Sequence, residues 1–245
     1  MDLKEEKAVG GDPSAHWYYI SKGRAIKSLL GRVPISALLD VGAGSGVFSK
    51  MLLEEGRAER AVCVDPGYED EFIGRRRADN IAFVRSVDTV SADTILMIDV
   101  IEHVDDDVRL IREYADRAAP GTRVLISVPA FQFLWSSHDE FLEHRRRYTL
   151  TGLRQTVERA GLEPQDMRYF FGLLFPAAAA SRMIENRDGE AKASKLKPAP
   201  SWLNASLVAV HDIERLALFP FNRLAGVTAF CLATKPRVAQ AKVAA

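Results

Sequence analysis

Leu38-Leu39-Asp40-Val41-Gly42-Ala43-Gly44-Ser45-Gly46-Val47-Phe48 runs from an apolar stretch through an acid and three alternate glycines into a helical pattern. Glycines at a strand-to-helix turn let the backbone approach a ligand where any Cβ would clash. The helix behind the turn directs N–H groups and partial positive charge at the same place. This suits a cradle for a nucleotide-like ligand with an anionic end. A dinucleotide fingerprint would put its third glycine where Val47 stands, and no Gly-Lys-Ser/Thr follows to make a P-loop. One strand later Asp65, followed by Pro66, offers a carboxylate that can accept hydrogen bonds from two ribose hydroxyls.

Histidines supply a second kind of chemistry. His103 closes the run Ile98-Asp99-Val100-Ile101-Glu102-His103, and His138 and His144 follow in Trp135-Ser136-Ser137-His138-Asp139 and His144-Arg145-Arg146-Arg147-Tyr148. An imidazole titrates near neutrality and can take a proton from an attacking hydroxyl or amine. His138 and His144 are therefore the candidate general bases, with His103 a further catalytic candidate. Asp139 can orient an imidazole, and Glu102 reads as a helix-capping acid. Trp17, Tyr18, Tyr19, Phe131, Phe133 and Trp135 offer faces for a cation or a planar acceptor. The alternative for half or more of them is a place in the core.

Period and punctuation give the elements that position these groups. Strands are expected over residues 35–39, 61–64, 81–84, 94–98 and 123–128. Helices are expected over 17–30, 47–55, 69–78, 105–118 and 149–160. The alternation implies an α/β fold with a doubly wound parallel sheet. Asp40, Asp65, Asp99 and Pro129 then mark the carboxyl ends of four strands, the rim where ligands sit in such sheets. Two more strands, 166–171 and 227–234, bracket an insertion over 173–224. Helical spacing covers 173–184 and 202–218, and a polar stretch lies at 186–200. A lid and a helical pair that buries a sheet edge are both open readings of it. Residues 1–34 read as a tail and cap helix, 35–234 as one domain, and 235–245 as a flexible tail.

The D-x-G-x-G-x-G turn resembles the first motif of the class I S-adenosylmethionine-dependent methyltransferases. Residues 98–104 resemble the fourth-strand motif of small-molecule members, and with Asp65 and the strand order the resemblance spans about two thirds of the chain. Val128-Pro129-Ala130, Trp135-Ser136-Ser137-His138-Asp139, His144-Arg145-Arg146-Arg147-Tyr148 and His16-Trp17-Tyr18 resemble a bacterial subgroup, with domains of the type 11/12 kind. Tyr18 and Ser21-Lys22 depart from that subgroup and leave an arginine partner for the cofactor carboxylate unassigned.

The resemblance implies a Rossmann-like, mainly parallel seven-stranded sheet with an antiparallel last strand. It implies S-adenosylmethionine as cofactor and S-adenosylhomocysteine as product. Tyr19, Asp40, Gly42, Ala43, Gly44 and Gly46 would face the methionine end, and Asp65 and Pro66 the ribose. Ser86, Val87 and Asp88 would face the adenine, with Asp99, Val100 and His103 beside the methyl. Trp17, Tyr18, Phe131, Trp135, His138 and Asp139 would meet the acceptor. The implied reaction is methyl transfer to an oxygen or nitrogen of a small molecule in a bacterial biosynthetic pathway. The rivals are an NAD(P)-linked oxidoreductase, an inactive binding module, and a methyltransferase with a lipid-linked or RNA acceptor. Asp99, Glu102, His103 and a downstream histidine are similar to the metal set of small-RNA 3′-end 2′-O-methyltransferases. The basic surface that such an acceptor requires is absent, and no metal is expected.

Composition narrows the field further. The 245 residues carry 33 Lys+Arg and 33 Asp+Glu, so no charge excess points to a nucleic-acid partner. Arg75-Arg76-Arg77 reads as a solvated face. Cys63 and Cys231 lie in apolar runs and read as buried thiols, which fits a reducing cytoplasm. Residues 1–11 are charged and unlike a signal peptide. No uninterrupted apolar run reaches the length of a membrane span. Residues 173–184 and 216–221 leave membrane association open though not expected. Nothing in the sequence sets the oligomeric state.

Overall fold

The computed structural model describes residues 12–75, 80–188 and 200–237. Its centre is a seven-stranded sheet in the order β3-β2-β1-β4-β5-β7-β6. The strands are β1 (Leu38–Val41), β2 (Ala61–Val64), β3 (Ile81–Val84), β4 (Thr94–Ile98), β5 (Arg123–Pro129), β6 (Glu163–Phe170) and β7 (Thr228–Thr234). β1 to β5 pair in parallel, and β7 runs antiparallel to both β5 and β6. The chain winds outward from β1 to β3 and then returns to place β4 beside β1. That reversal opens a crevice outside the carboxyl ends of β1 and β4.

The helices are α1 (Trp17–Leu30), α2 (Val47–Glu54), α3 (Asp70–Arg75), α4 (Asp107–Arg117), α5 (Ser137–Phe141), α6 (Leu150–Arg159), α7 (Phe175–Asp188) and α8 (Ser201–Ala217). Successive strand residues face opposite sides, which divides the core in two. Ile95, Met97, Val124 and Ile126 pack with Val108 and Ile111 of α4 and Leu153 and Val157 of α6. Leu96, Ile98 and Leu125 pack on the other face with Ile26 and Leu29 of α1 and Phe48 and Leu52 of α2.

Two boundaries depart from the sequence reading. β1 begins at Leu38 because Asp93 Oδ2 takes the Ser36 and Ala37 N–H groups at 2.8 and 3.2 Å, so Ile35 keeps a single bridge to Ala58. The strand reaches Val41, which puts Asp40 inside it. β6 begins earlier, at Glu163, and absorbs an irregularity between Pro164 and Asp166. Arg76, Arg77, most of the polar stretch at 186–200, residues 1–11 and residues 238–245 of the tail lie outside the described residues.

The insertion packs on the rest of the fold at three places. α8 lies along α1: Asp212 pairs with Arg24, Asn204 Oδ1 accepts from Trp17 N at 2.7 Å, and His211 stacks on Trp17 at 5.5 Å. Phe219, just beyond α8, is buried with Phe170 and Phe230 over the antiparallel end of the sheet. Leu174 and Arg182, at the start and in the body of α7, line a cavity at the rim.

Candidate active site

The glycine turn is bound on both sides. Gly42, Gly44 and Gly46 all have positive φ, at 64°, 52° and 70°. A Cβ on Gly42 would come within 2.6 Å of Val100 Cγ2, and one on Gly46 within 2.9 Å of Phe83. The turn therefore packs directly on the segment that follows β4. Gly42 N and Ala43 N donate to the Val64 carbonyl, while Gly44 N donates to Asp65 Oδ2 at 3.2 Å. Tyr68, buried against Phe72 and Phe83, donates its hydroxyl to the Gly44 carbonyl at 2.6 Å.

Asp40 sits differently from its sequence assignment. It is 2 % exposed and accepts from Ser49 Oγ of α2 at 2.7 Å, so it ties the helix to the strand beneath the turn. Burial raises its pKa to about 6, with Ser49 opposing the rise. A carboxyl with a raised folded pKa stabilises the protein fully only below its unfolded value, and that stability is lost as pH rises through about 6. Asp40→Asn keeps a hydrogen-bond acceptor without the charge. It is expected to raise the melting temperature at pH 7.5 and to lose that advantage by pH 4.5. A flat difference across that range in calorimetry would show that Asp40 titrates normally.

Asp65 ends β2 half-buried, with Oδ1 accepting from Gly67 N at 2.9 Å. Ser86 and Asp88 are exposed beyond β3, and Val87 between them is half-buried. Arg117 of α4 fixes this loop by donating to the Val87 carbonyl at 2.6 Å.

At the end of β4, Asp99 takes a positive φ of 53°. Ser127 Oγ donates to its Oδ1 at 3.1 Å, and Lys22 Nζ of α1 is hydrogen-bonded to its Oδ2. Lys22 is fully buried and also donates to Tyr18 Oη at 3.1 Å. Burial would raise the Asp99 pKa, but the Lys22 charge and hydrogen bonds outweigh it and hold the carboxyl below its usual range. The sequence treats Lys22 only as a departure from a subgroup motif. It is the pin that fastens the cap helix to the rim.

A cavity of about 210 Å³ opens beside this pair. Trp17, Tyr18 and Phe171 form its aromatic wall, and His103, His138 and His144 its imidazole wall. Asp99, Glu102, Arg147, Arg182 and Thr228 add polar groups. His103 and His144 meet edge to face with ring centroids 4.7 Å apart. Glu102 is fully buried, and neither carboxylate oxygen has a hydrogen-bond partner. Burial, reinforced by the Asp99 charge, pushes its pKa well above the ordinary carboxylate range. The following helix is capped by Asp106, whose Oδ1 accepts from Arg109 N at 2.9 Å, and not by Glu102 as the sequence suggests.

Asp139 lies behind the cavity and not in it. It is fully buried, outside the cavity lining, and its oxygens accept from Ser136 N, Ser136 Oγ, Arg147 Nε and Arg147 Nη2 at 2.7–3.1 Å. His144 Nδ1 completes the set at 2.9 Å from Asp139 Oδ1. The capping box of α5, Ser136 with Asp139, is the local signal behind this arrangement. Tyr148 anchors the same loop from below, donating to Asp107 Oδ2 at 2.8 Å. Two other acceptor assignments, Phe131 and Trp135, lie outside the cavity lining, as does Tyr19, assigned to the methionine end. Tyr19 is buried against Phe48, Phe131 stacks on Tyr169 at 4.8 Å, and Trp135 is half-buried outside the lining. Arg147 of the loop after α5, Leu174 and Arg182 of the insertion and Thr228 at the start of β7 line it without a role having been assigned to them, because no local pattern says which side chains reach the rim.

A sequence profile described as a methyltransferase domain matches residues 19–166. No characterised protein in the curated set matches. Among solved structures, a putative methyltransferase of Haloferax volcanii, in complex with its Trm112 activator, is 18 % identical at a TM-score of 0.55, covering 91 % of each chain. Haemonchus contortus phosphoethanolamine N-methyltransferase 2, bound to S-adenosyl-L-methionine, is 18 % identical at a TM-score of 0.55. This chain covers 52 % of it, with 88 % of its own length aligned. A putative methyltransferase of Bacillus halodurans is 13 % identical at 0.54, over 89 % of this chain and all of that one. With the profile spanning more than half the sequence and the sheet order that the motifs imply, the chain belongs to the methyltransferase-domain family and is a class I S-adenosylmethionine-dependent methyltransferase.

Proposed function

We propose that this enzyme methylates an oxygen or nitrogen of a small-molecule acceptor held in the cavity at the ends of β4 and β5, as a cytoplasmic step of bacterial small-molecule biosynthesis. One observation carries the reading. The glycine turn packs on Val100, and Val100 adjoins Asp99 of the cavity lining, so a donor on the turn and an acceptor in the cavity would be neighbours. The residues fit the cofactor. The turn and the N-terminus of α2 suit a carboxylate, the half-buried Asp65 suits the ribose, and Val87 with Asp88 suits the adenine. When bound, the cofactor supplies a methyl already activated on a sulfonium. What the chain adds is position and dryness. Trp17, Tyr18 and Phe171 exclude water and offer aromatic faces. His138 stands at the cavity wall as the group to receive the acceptor's proton.

Structures of similar fold include a phosphoethanolamine N-methyltransferase and a putative sarcosine dimethylglycine methyltransferase, which supports a small acceptor here. A [4+2]-cyclase with the same fold shows that the site, not the fold, decides the reaction. The buried, unpaired thiols of Cys63 and Cys231 support the cytoplasm. Among the described residues no helix is long and apolar enough to cross a membrane.

Calorimetric titration with S-adenosylhomocysteine tests the cofactor half. The wild type is expected to bind it, and Asp65→Ala to bind about 100-fold more weakly, the loss of two hydrogen bonds to a charged acceptor. Unchanged affinity in that variant would remove Asp65 from the ribose. Uptake of a nicotinamide cofactor in its place would overturn the assignment as a whole.

A further inference from the structure

We propose that Glu102, His103 and His144 form a site for one divalent transition-metal ion at the floor of the cavity, and that the ion holds a hydroxyl of the acceptor. One ligand atom from each of the three residues lies within 4.8 Å of the other two. Tetrahedral ligands at ordinary bond lengths stand about 3.4 Å apart, so modest side-chain rotation closes the set around an ion.

Two further observations point to a cation. The first is the orphaned Glu102. A fully buried carboxyl almost always has hydrogen-bond partners, and this one has none at either oxygen while it borders an open cavity. Protonation alone would still leave an unsatisfied donor and acceptor. A metal ion satisfies both the charge and the lone pairs. The second is the support behind His144. Its Nδ1 is engaged by Asp139 Oδ1 at 2.9 Å, which leaves Nε2 as the nitrogen for a ligand. Asp139 is in turn fixed by Arg147 and Ser136. A carboxylate that orients and enriches a ligating imidazole is the usual outer support of a metal histidine.

The set differs from the one that sequence order suggests. Asp99 lies next to it, but Lys22 and Ser127 occupy its oxygens, so its charge adds to the local negative potential without joining the ligands. Two imidazoles and one carboxylate favour zinc, manganese, cobalt or iron over magnesium or calcium. Three protein ligands leave coordination positions open, the pattern of a reactive site rather than a structural one.

The chemistry that follows deepens the proposed function and rests on it. A hydroxyl on the ion ionises at lower pH than in water. Its proton passes to His138. The oxygen lone pair then forms the bond to the methyl carbon as the carbon–sulfur bond breaks, and that bond's electron pair stays on sulfur. The acceptor class is accordingly an alcohol or a vicinal diol, giving O-methylation.

Chelator-stripped protein titrated with Co²⁺ tests the site directly, by visible d–d absorption and by calorimetry. One equivalent per chain is expected, displaced by Zn²⁺. Glu102→Gln and His144→Gln are each expected to weaken Co²⁺ binding at least about 10-fold. S-adenosylhomocysteine affinity, measured on the same samples, should stay within about twofold of wild type and so reports that the variants are folded. Absent Co²⁺ binding, or equal binding in wild type and variants, with S-adenosylhomocysteine still bound, overturns the metal site alone. Loss of S-adenosylhomocysteine binding by the wild type itself would instead overturn the proposed function.

Discussion

Lys22→Ala is expected to destabilise the fold by about 3–5 kcal/mol, the cost of leaving one member of a buried ion pair without the other. Lys22 is fully buried, and Asp99 is held by that ammonium and by one hydroxyl. Without Lys22, the partly exposed Asp99 charge is left with Glu102 close by and only Ser127 to stabilise it. The backbone adds to the cost, since Asp99 holds a left-handed conformation that needs surrounding contacts to keep it there. Chemical denaturation would show the loss as a lower midpoint at unchanged slope. The double variant Lys22→Met/Asp99→Asn removes both charges and is expected to recover most of the stability. An exchange of that kind is often neutral where a single truncation is not. A cost under about 1 kcal/mol would mean that water in the cavity, where the Asp99 side chain is 22 % exposed, screens its charge as well as Lys22 does. Because Lys22 is also the link between α1 and the rim, the same variant should loosen Tyr18, to which it donates at 3.1 Å.

Much of this was legible in the sequence because the information was local. The five parallel strands announce themselves as apolar runs, three of them ended by Asp65, Asp99 and Pro129, and the glycine turn needs no tertiary context to be read. The antiparallel end of the sheet came from resemblance, since two strands separated by a long insertion carry no sign of direction. The site is a different matter. Asp139 and His138 are adjacent in sequence, yet one turn of helix sends His138 to the cavity and Asp139 into a buried network. Trp17 and Tyr19 are two apart on α1, and only Trp17 reaches the lining. Such choices depend on which side of a helix meets the sheet, and aromatic type does not decide that. Lys22 shows the limit most clearly. A lysine in an amphipathic helix reads as solvent-facing until a carboxylate 77 residues away is placed opposite it.

Asp139→Ala is expected to be the most damaging change near the cavity at a residue that is not itself a proposed ligand of the ion or cofactor. Its carboxylate holds Arg147, His144 and the start of α5 together, and both Arg147 and His144 have side chains only 7 % exposed. Truncation leaves a buried guanidinium without its partner, at a cost of about 3–5 kcal/mol. The hydrogen bonds from His144 and Arg147 and the Arg147 charge hold the Asp139 pKa far below the usual carboxylate range, although burial acts against them. A depressed folded pKa fixes the sign of the pH dependence. The stabilisation is complete above the unfolded value, about 3.9, and drains away as pH falls toward the folded one. Asp139→Asn keeps the shape but gives up the charge. The gap in melting temperature between wild type and Asp139→Asn should therefore be widest near pH 6 and narrow steadily below about pH 4. A gap independent of pH would mean that Asp139 acts only as a cap for α5. In that case the orientation of His144, and with it the support for an ion at Glu102, would have to come from elsewhere in the loop.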